Sequence, residues 1–126
     1  MPNPNAEVVK AAIGARDEQT FMSLHAADVV LHVAGRGRLA GTYVGHAELS
    51  EYFAKMTASL DATPREEDHA VMADDDHVVR LYTSRYRRGG EVFASPEIMV
   101  FHVRDGTIRE VWLNPTDQYA YDAYWA

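Results

Sequence analysis

The stretch that decides the fold is HVVRLYTSRYRRGGEVFASPEIMVFHVRDGTIREVWLN, residues 77–114. With the residues just before it, this stretch contains four runs bounded by turn signals, and the last three are rich in β-branched and aromatic side chains, which suit a pleated surface. The runs cover residues 66–73, 77–87, 92–104 and 107–114. Gly89-Gly90 and Asp105-Gly106 separate the last three runs and are typical of tight hairpin turns. The pattern therefore predicts an antiparallel meander of four strands.

The residues before the meander have the pattern of helices. Apolar side chains recur every three or four residues, which predicts three helices at about 5–15, 18–25 and 46–59. Asn5 and Asp17 are expected to cap the first two helices. Residues 29–33, VVLHV, predict a short strand between the second and third helices. Helices grouped early and strands late favour an α+β fold with the helices on one face of a curved antiparallel sheet.

Length and composition exclude several classes of protein. The chain has 126 residues, which predicts one domain over residues 1–126. It has no cysteine, so disulfides, thiolate metal sites and a cysteine nucleophile are excluded. The six histidines are scattered without ligand spacing, and we expect no metal and no cofactor.

Charge and hydropathy bear on partners and location. Acidic residues outnumber basic ones 19 to 12, giving a net charge of −7, which repels phosphate backbones and argues against a nucleic-acid partner. No apolar run approaches the ~20 residues of a membrane span. The first ten residues, MPNPNAEVVK, lack the basic and apolar regions of a secretory signal. The expectation is a cytoplasmic protein with no membrane partner.

Three stretches resemble the SnoaL-like branch of the nuclear-transport-factor-2-like superfamily. They are AADVVLHVAGRGRLAGTYVGHAELSEYF (26–53), HVVRLYTSRYRRGGEVF (77–93) and VFHVRDGTIREVWLNPTDQYA (100–120). The similarity extends from about Val8 to Trp125 and includes the closing Asp-Gly-x-Ile-x-Glu-x-Trp pattern. It implies a cone in which a curved antiparallel sheet wraps around three N-terminal helices and leaves a pocket at the open end. It also implies a homodimer through the convex face of the sheet.

Relatives of this kind include polyketide cyclases, ketosteroid isomerase, limonene epoxide hydrolase and non-catalytic binding modules. Resemblance to limonene epoxide hydrolase places its arginine at Arg80, but Tyr82 and Leu113 stand where that family has aspartates. The His-x-Asp pair of the SnoaL-type cyclases falls on Val111 and Leu113. The resemblance therefore implies a shape, and the chemistry has to be argued from the pocket residues.

His32 is a candidate general base because imidazole titrates near neutral pH. The resemblance to ketosteroid isomerase places its catalytic aspartate at Val33 when residues are counted from Asp28, and at His32 when they are counted from Gly35. Which way His32 points therefore stays open. In the alternative interpretation His32 lies on the solvated face, or its ring forms a hydrogen bond with a backbone carbonyl group.

Arg80 and Tyr82 are two residues apart on a predicted strand and so share one face. Together they would offer a fixed cation and a neutral donor to a carbonyl, enolate or carboxylate. A buried arginine needs a partner, and Glu97 on the next strand is expected to supply it. The alternative is that this face is convex and that all three side chains are solvated or lie at a dimer seam.

Apolar side chains from several elements are expected to line the pocket, although plain core packing is an equally good interpretation. They are Phe21, Leu31, Phe53, Met56, Met99, Phe101, Val111 and Leu113.

The sequence predicts a protein that binds a small, largely apolar organic molecule in an enclosed pocket. As an enzyme it would be a cofactor-independent isomerase, cyclase or hydrolase that uses general acid–base chemistry on a polyketide-, terpenoid- or steroid-like substrate. His32 would be the base, and Arg80 with Tyr82 would stabilise developing charge. One alternative is a binding module without catalysis. Another is an interaction module whose working surface is the convex sheet around Trp112.

Overall fold

The computed structural model describes residues 3–126, which form an α+β fold with a curved six-stranded sheet. The helices are α1 (Pro4–Ile13), α2 (Glu18–Ser23), α3 (Gly45–Ala58) and α4 (Gln118–Tyr124). The strands are β1 (His25–Val33), β2 (Gly41–Val44), β3 (Arg65–Ala73), β4 (His77–Arg88), β5 (Glu91–Arg104) and β6 (Thr107–Pro115). The predicted fold class is confirmed. The predicted domain, residues 1–126, includes Met1 and Pro2, which lie outside the described residues.

The first two helices begin at side-chain caps. Asp17 caps α2 as predicted, and its carboxylate accepts the backbone N–H of Thr20. The cap of α1 is Asn3 and not Asn5, because the Asn3 side chain accepts the backbone N–H groups of Asn5 and Ala6. Pro4 then occupies the first turn, where a missing N–H costs nothing. Helix α1 therefore begins earlier than the apolar pattern alone predicts.

The strands follow the order β2-β1-β6-β5-β4-β3. Strands β3 to β6 form the predicted antiparallel meander, whereas β1 joins its end by pairing in parallel with β6. The register places Leu31 beside Val111, Val111 beside Phe101, and Phe101 beside Val78. This row of buried side chains crosses four strands and defines the inner face of the sheet.

The helices cover the inner face without filling it. Val9 of α1 and Leu49, Tyr52 and Met56 of α3 belong to the same apolar cluster as the inward strand residues. At one end of the sheet, Trp125 follows α4 as its C-cap. Its ring packs against the ring of Tyr86, with 5.4 Å between the two centroids. A cavity remains between α1, α3 and the middle of the sheet. No helix among residues 3–126 is long and apolar enough to cross a membrane.

Candidate functional site

The cavity has a volume of about 450 Å³, and its wall is mostly aliphatic and aromatic. All eight residues expected to line a pocket lie on this wall, and so do Arg80, Tyr82 and Glu97. The exposed lining residues Ile13, Thr57 and Thr63 mark its mouth, where α1, α3 and the chain leading into β3 approach one another. The volume is within the range of sites that enclose small organic ligands.

The carboxyl group of Glu97 is the polar centre of the cavity. Its side chain comes from β5 and is only 2% exposed. Glu97 Oε1 accepts a hydrogen bond from Tyr82 Oη at 2.6 Å, and Oε2 accepts one from Tyr86 Oη at 2.7 Å. Tyr82 lies directly opposite Glu97 in the β4–β5 register, and Tyr86 is four residues further along the same face of β4. Alternation along one strand therefore aims both hydroxyls at one carboxyl group.

Burial sets the protonation behaviour of this group. Burial raises the pKa of Glu97, and the hydrogen bonds from Tyr82 and Tyr86 offset only part of that rise. Burial and the nearby Glu97 also raise the pKa values of both tyrosines, so that their hydroxyls stay protonated and donate. The site thus holds a carboxyl group whose pKa is shifted toward neutral pH between two fixed neutral donors.

Arg80 is buried on the same wall but does not pair with Glu97, so that expectation is wrong. Its Nη1 lies 2.9 Å from Glu66 Oε1 and its Nε lies 2.7 Å from Asp68 Oδ1, both on strand β3. Its guanidinium also lies over the ring of Tyr82, 4.0 Å from the centroid. The physical reason is the register: Glu97 lies opposite Tyr82, where the two tyrosine hydroxyls saturate it.

Attraction to these carboxylates outweighs the effect of burial on Arg80. Burial alone would lower the pKa of the guanidinium, but the charges of Glu66 and Asp68 raise it overall. The arginine is therefore a fixed cation in a neutralising clamp. Two of the three carboxylates in the acidic run 66–68 on β3 therefore pair with this buried cation.

The structure places His32 on the outer face of the sheet, so it does not reach the cavity. Leu31 and Val33 take the inward positions of β1, and the alternation turns His32 outward. Its Nε2 lies 2.5 Å from Glu110 Oε2, and its ring stacks on Trp112 with 5.6 Å between centroids. A role for His32 as the base inside the cavity is therefore wrong for a geometric reason.

The cavity wall also includes Tyr86, Tyr52 and His25, which were not among the predicted site residues. Tyr86 shares its face of β4 with Arg80 and Tyr82, so strand alternation alone could have found it. Tyr52 lies on the inner face of α3, three residues after Leu49. Helical spacing could therefore have predicted that it faces the cavity. His25 gave no sequence signal, because the first four residues of β1 lack a strand pattern.

His25 is held as a neutral group. Its Nδ1 donates to the Phe21 carbonyl at 2.8 Å, and burial lowers its pKa although that hydrogen bond acts in the opposite direction. In residues 3–126 no three His, Asp or Glu side chains form a group that could hold a metal ion.

The geometry defines a class: an α+β cone with an apolar cavity, open at one mouth, and a buried carboxyl group on its wall. Residues 6–111 match the family model of the SnoaL-like domain, and the chain belongs to this family of nuclear-transport-factor-2-like proteins. No curated protein matches the sequence significantly.

Solved structures support the same fold. Bal32a, from a soil-derived mobile gene cassette, is 25% identical with a TM-score of 0.90, and the alignment covers 98% of this chain and 97% of that one. A Xanthomonas campestris protein of unknown function with a cystatin-like fold is 26% identical with a TM-score of 0.88, covering 97% and 98%. A Catenulispora acidiphila protein with a ketosteroid isomerase-like fold, solved with trimethylamine, is 17% identical with a TM-score of 0.75, covering 95% and 94%. The last likeness shows the fold alone.

Proposed function

We propose that the protein binds a small, largely apolar organic molecule in this cavity and transfers a proton on it, with Glu97 as the acid–base group. The reaction class is a cofactor-independent isomerisation, cyclisation or hydrolysis of a polyketide-, terpenoid- or steroid-like substrate. One observation carries the proposal: the Glu97 carboxyl group is 2% exposed, lies on the wall of a 450 Å³ cavity and is bound by two hydroxyl groups.

The proposed mechanism follows from the environment of this carboxyl group. A carboxylate whose pKa is raised toward the working pH is a better base than one in water, and its conjugate acid still gives the proton back. Glu97 would take a proton from the carbon next to a carbonyl group and return it at another carbon. In a hydrolysis the same oxygen would take the proton of the attacking water.

The neighbouring groups have different parts in this mechanism. Tyr82 and Tyr86 each donate a hydrogen bond to one carboxyl oxygen of Glu97. The substrate proton would therefore be taken by a lone pair of Glu97 that neither hydroxyl group occupies. Arg80 is proposed as a positioning residue, because its guanidinium fixes the ring of Tyr82 while its charge is held by Glu66 and Asp68. The base is thus Glu97 and not His32.

Exchange of the α-protons of 2-tetralone in D₂O, followed by proton NMR, tests the proposal. This uncharged bicyclic ketone has acidic α-protons and fits a cavity of this volume. The wild-type protein is expected to accelerate exchange, and Glu97→Gln to lose at least about a hundredfold, the usual contribution of a general base. His32→Ala is the matched control and keeps the wild-type rate, because His32 lies on the outer face. Equal rates for Glu97→Gln and wild type would contradict the assignment. Binding of the ketone without accelerated exchange would favour a binding module.

We also propose that the outer face of the sheet joins a second copy of this chain. A continuous apolar row crosses four strands there, in the register Met72, Val79, Val100 and Trp112. Met72 is 52% exposed, and the other three side chains are partly exposed. Sedimentation equilibrium is expected to show a dimer that Val100→Asp dissociates. A monomeric wild-type protein at high micromolar concentration would exclude this arrangement.

A further inference from the structure

We propose that the cavity accepts uncharged ligands and rejects anionic ones, because each charged group on its wall is already held by another group of the protein. This inference rests on the proposed function, since it assumes that the cavity is the ligand site. It adds the charge class of the substrate, which neither the fold nor the family assigns.

The positive charge of Arg80 on the cavity wall is already held by two carboxylates. Within the described part of the chain, Arg80 is the one lysine or arginine that lines the cavity. Its Nη1 and Nε bind Glu66 and Asp68 at 2.9 and 2.7 Å, so one guanidinium faces two carboxylates. A ligand carboxylate, sulfonate or phosphate would bring a third negative charge to the same guanidinium, or would have to displace one of the two. Desolvating an anion without a free partner is costly.

The negative groups near the cavity add to the exclusion of an anion. Both oxygens of Glu97 accept hydroxyl hydrogen bonds, so this carboxyl group offers no donor to an anionic ligand. Glu66 and Asp68 face Arg80, and two carboxylates against one guanidinium leave an excess of negative charge there. His25 on the same wall is held neutral by burial. Among the described residues, no unpaired positive charge therefore faces the space that a ligand would fill.

The rest of the wall agrees with this conclusion. Aromatic rings from α2, α3, β4 and β5 surround the space. They are Phe21, Tyr52, Phe53, Tyr82, Tyr86 and Phe101. Such a wall suits an uncharged ring system whose polar atoms are hydrogen-bond acceptors or donors, such as a ketone or a phenol.

Two fluorescent dyes that differ by one sulfonate test the inference. They are N-phenyl-1-naphthylamine, which is uncharged, and 8-anilinonaphthalene-1-sulfonate, which is anionic. Titration of the wild-type protein with each dye is expected to give at least about tenfold tighter binding of the uncharged dye. Equal affinities, or tighter binding of the sulfonate, would overturn the inference and leave the proposed function standing. If the uncharged dye does not bind at all, the proposed ligand site fails as well, so the two failures are distinguishable.

Removing the clamp should change the selectivity. Glu66→Gln and Asp68→Asn keep oxygen acceptors near Arg80 but remove the competing charges, so each variant is expected to bind the sulfonate dye about threefold to tenfold more tightly than wild type. Affinity for the uncharged dye should change by less than about twofold. The two variants are made separately, so that if one does not fold the other carries the test. No gain in sulfonate binding in either folded single variant would count against the clamp.

Two controls separate this effect from net charge and from binding elsewhere. Glu67→Gln makes the same change in net charge on the same strand, but Glu67 is 78% exposed and lies 3.6 Å from Arg85, away from the cavity. It is expected to leave both affinities unchanged, and a matching gain in sulfonate binding would overturn the inference.

The second control tests where the dye binds. Val111→Phe narrows the cavity and should weaken binding of the uncharged dye, whereas Val100→Ser on the outer face should not. The reverse pattern would show that the dye binds the outer face and would overturn it too.

Discussion

Replacing Tyr82 by Phe removes one hydroxyl group from the centre of the site and changes little else. The lost hydrogen bond joins Tyr82 Oη to Glu97 Oε1 over 2.6 Å, between side chains that are 3% and 2% exposed. A buried group that loses its partner typically costs about 1–3 kcal/mol of folding free energy. Burial favours the uncharged form of Glu97, which places the expected loss in the lower part of that range, at about 1–2 kcal/mol. Urea unfolding followed by circular dichroism measures it.

The decisive feature of this prediction is its dependence on Glu97. In a Glu97→Leu background the acceptor is gone, so Tyr82→Phe should cost little or even stabilise, and a double-mutant cycle should give a coupling of about 1–2 kcal/mol. Tyr43→Phe is the matched control, since Tyr43 Oη is also buried but donates to the Leu39 carbonyl at 2.8 Å. Its cost should add to that of Glu97→Leu within about 0.5 kcal/mol. The reasoning is refuted if the costs of Tyr82→Phe and Glu97→Leu also add within about 0.5 kcal/mol, as those of the control pair should.

Three further predictions concern pH, close packing and the core. Because burial raises the pKa of Glu97 in the folded state above its ordinary 4.5, the folded protein retains a proton that the unfolded chain releases. Stability of the wild type relative to Glu97→Gln should therefore fall as pH rises from 4.5 through the raised pKa, and unfolding curves that stay parallel from pH 4 to 8 would contradict this. The Cβ of Gly37→Ala would lie 2.9 Å from both Cβ and the carbonyl oxygen of Trp125. The substitution should therefore lower the free energy of unfolding by about 1–3 kcal/mol and alter tryptophan fluorescence. An unchanged emission spectrum and melting temperature would contradict this prediction. Ile108 is 0% exposed, and Ile108→Ala should cost about 2–5 kcal/mol in urea unfolding, so a loss below 1 kcal/mol would show a less tightly packed core.

The strand pattern made most of the fold predictable. The meander was accessible because turn signals such as Gly89-Gly90 and Asp105-Gly106 separate its strands. The parallel pairing of β1 with β6 was not accessible from local pattern, because it joins segments about eighty residues apart. The start of β1 was missed for a related reason: His25 to Asp28 have no alternation of apolar side chains.

The candidate site was predictable to the extent that alternation decides it. Two-residue spacing correctly grouped Arg80 with Tyr82 on the inner face of β4. It could not choose between the two faces for His32, because the register there depends on how β1 meets β6. Nor could it give the partner of Arg80, which depends on β3 being the other neighbour of β4 and not on charge alone. Residue patterns specify faces, whereas partners across strands require the sheet order.

The proposed function depends most on a ligand meeting Glu97 inside the cavity. A crystal structure of the protein with 2-tetralone bound tests this directly. The account predicts the ketone inside the cavity, with an α-carbon within about 3.5 Å of a Glu97 carboxyl oxygen, the distance at which a proton can be transferred. A ketone bound elsewhere, or one held in the cavity with its α-carbons turned away from Glu97, would contradict it.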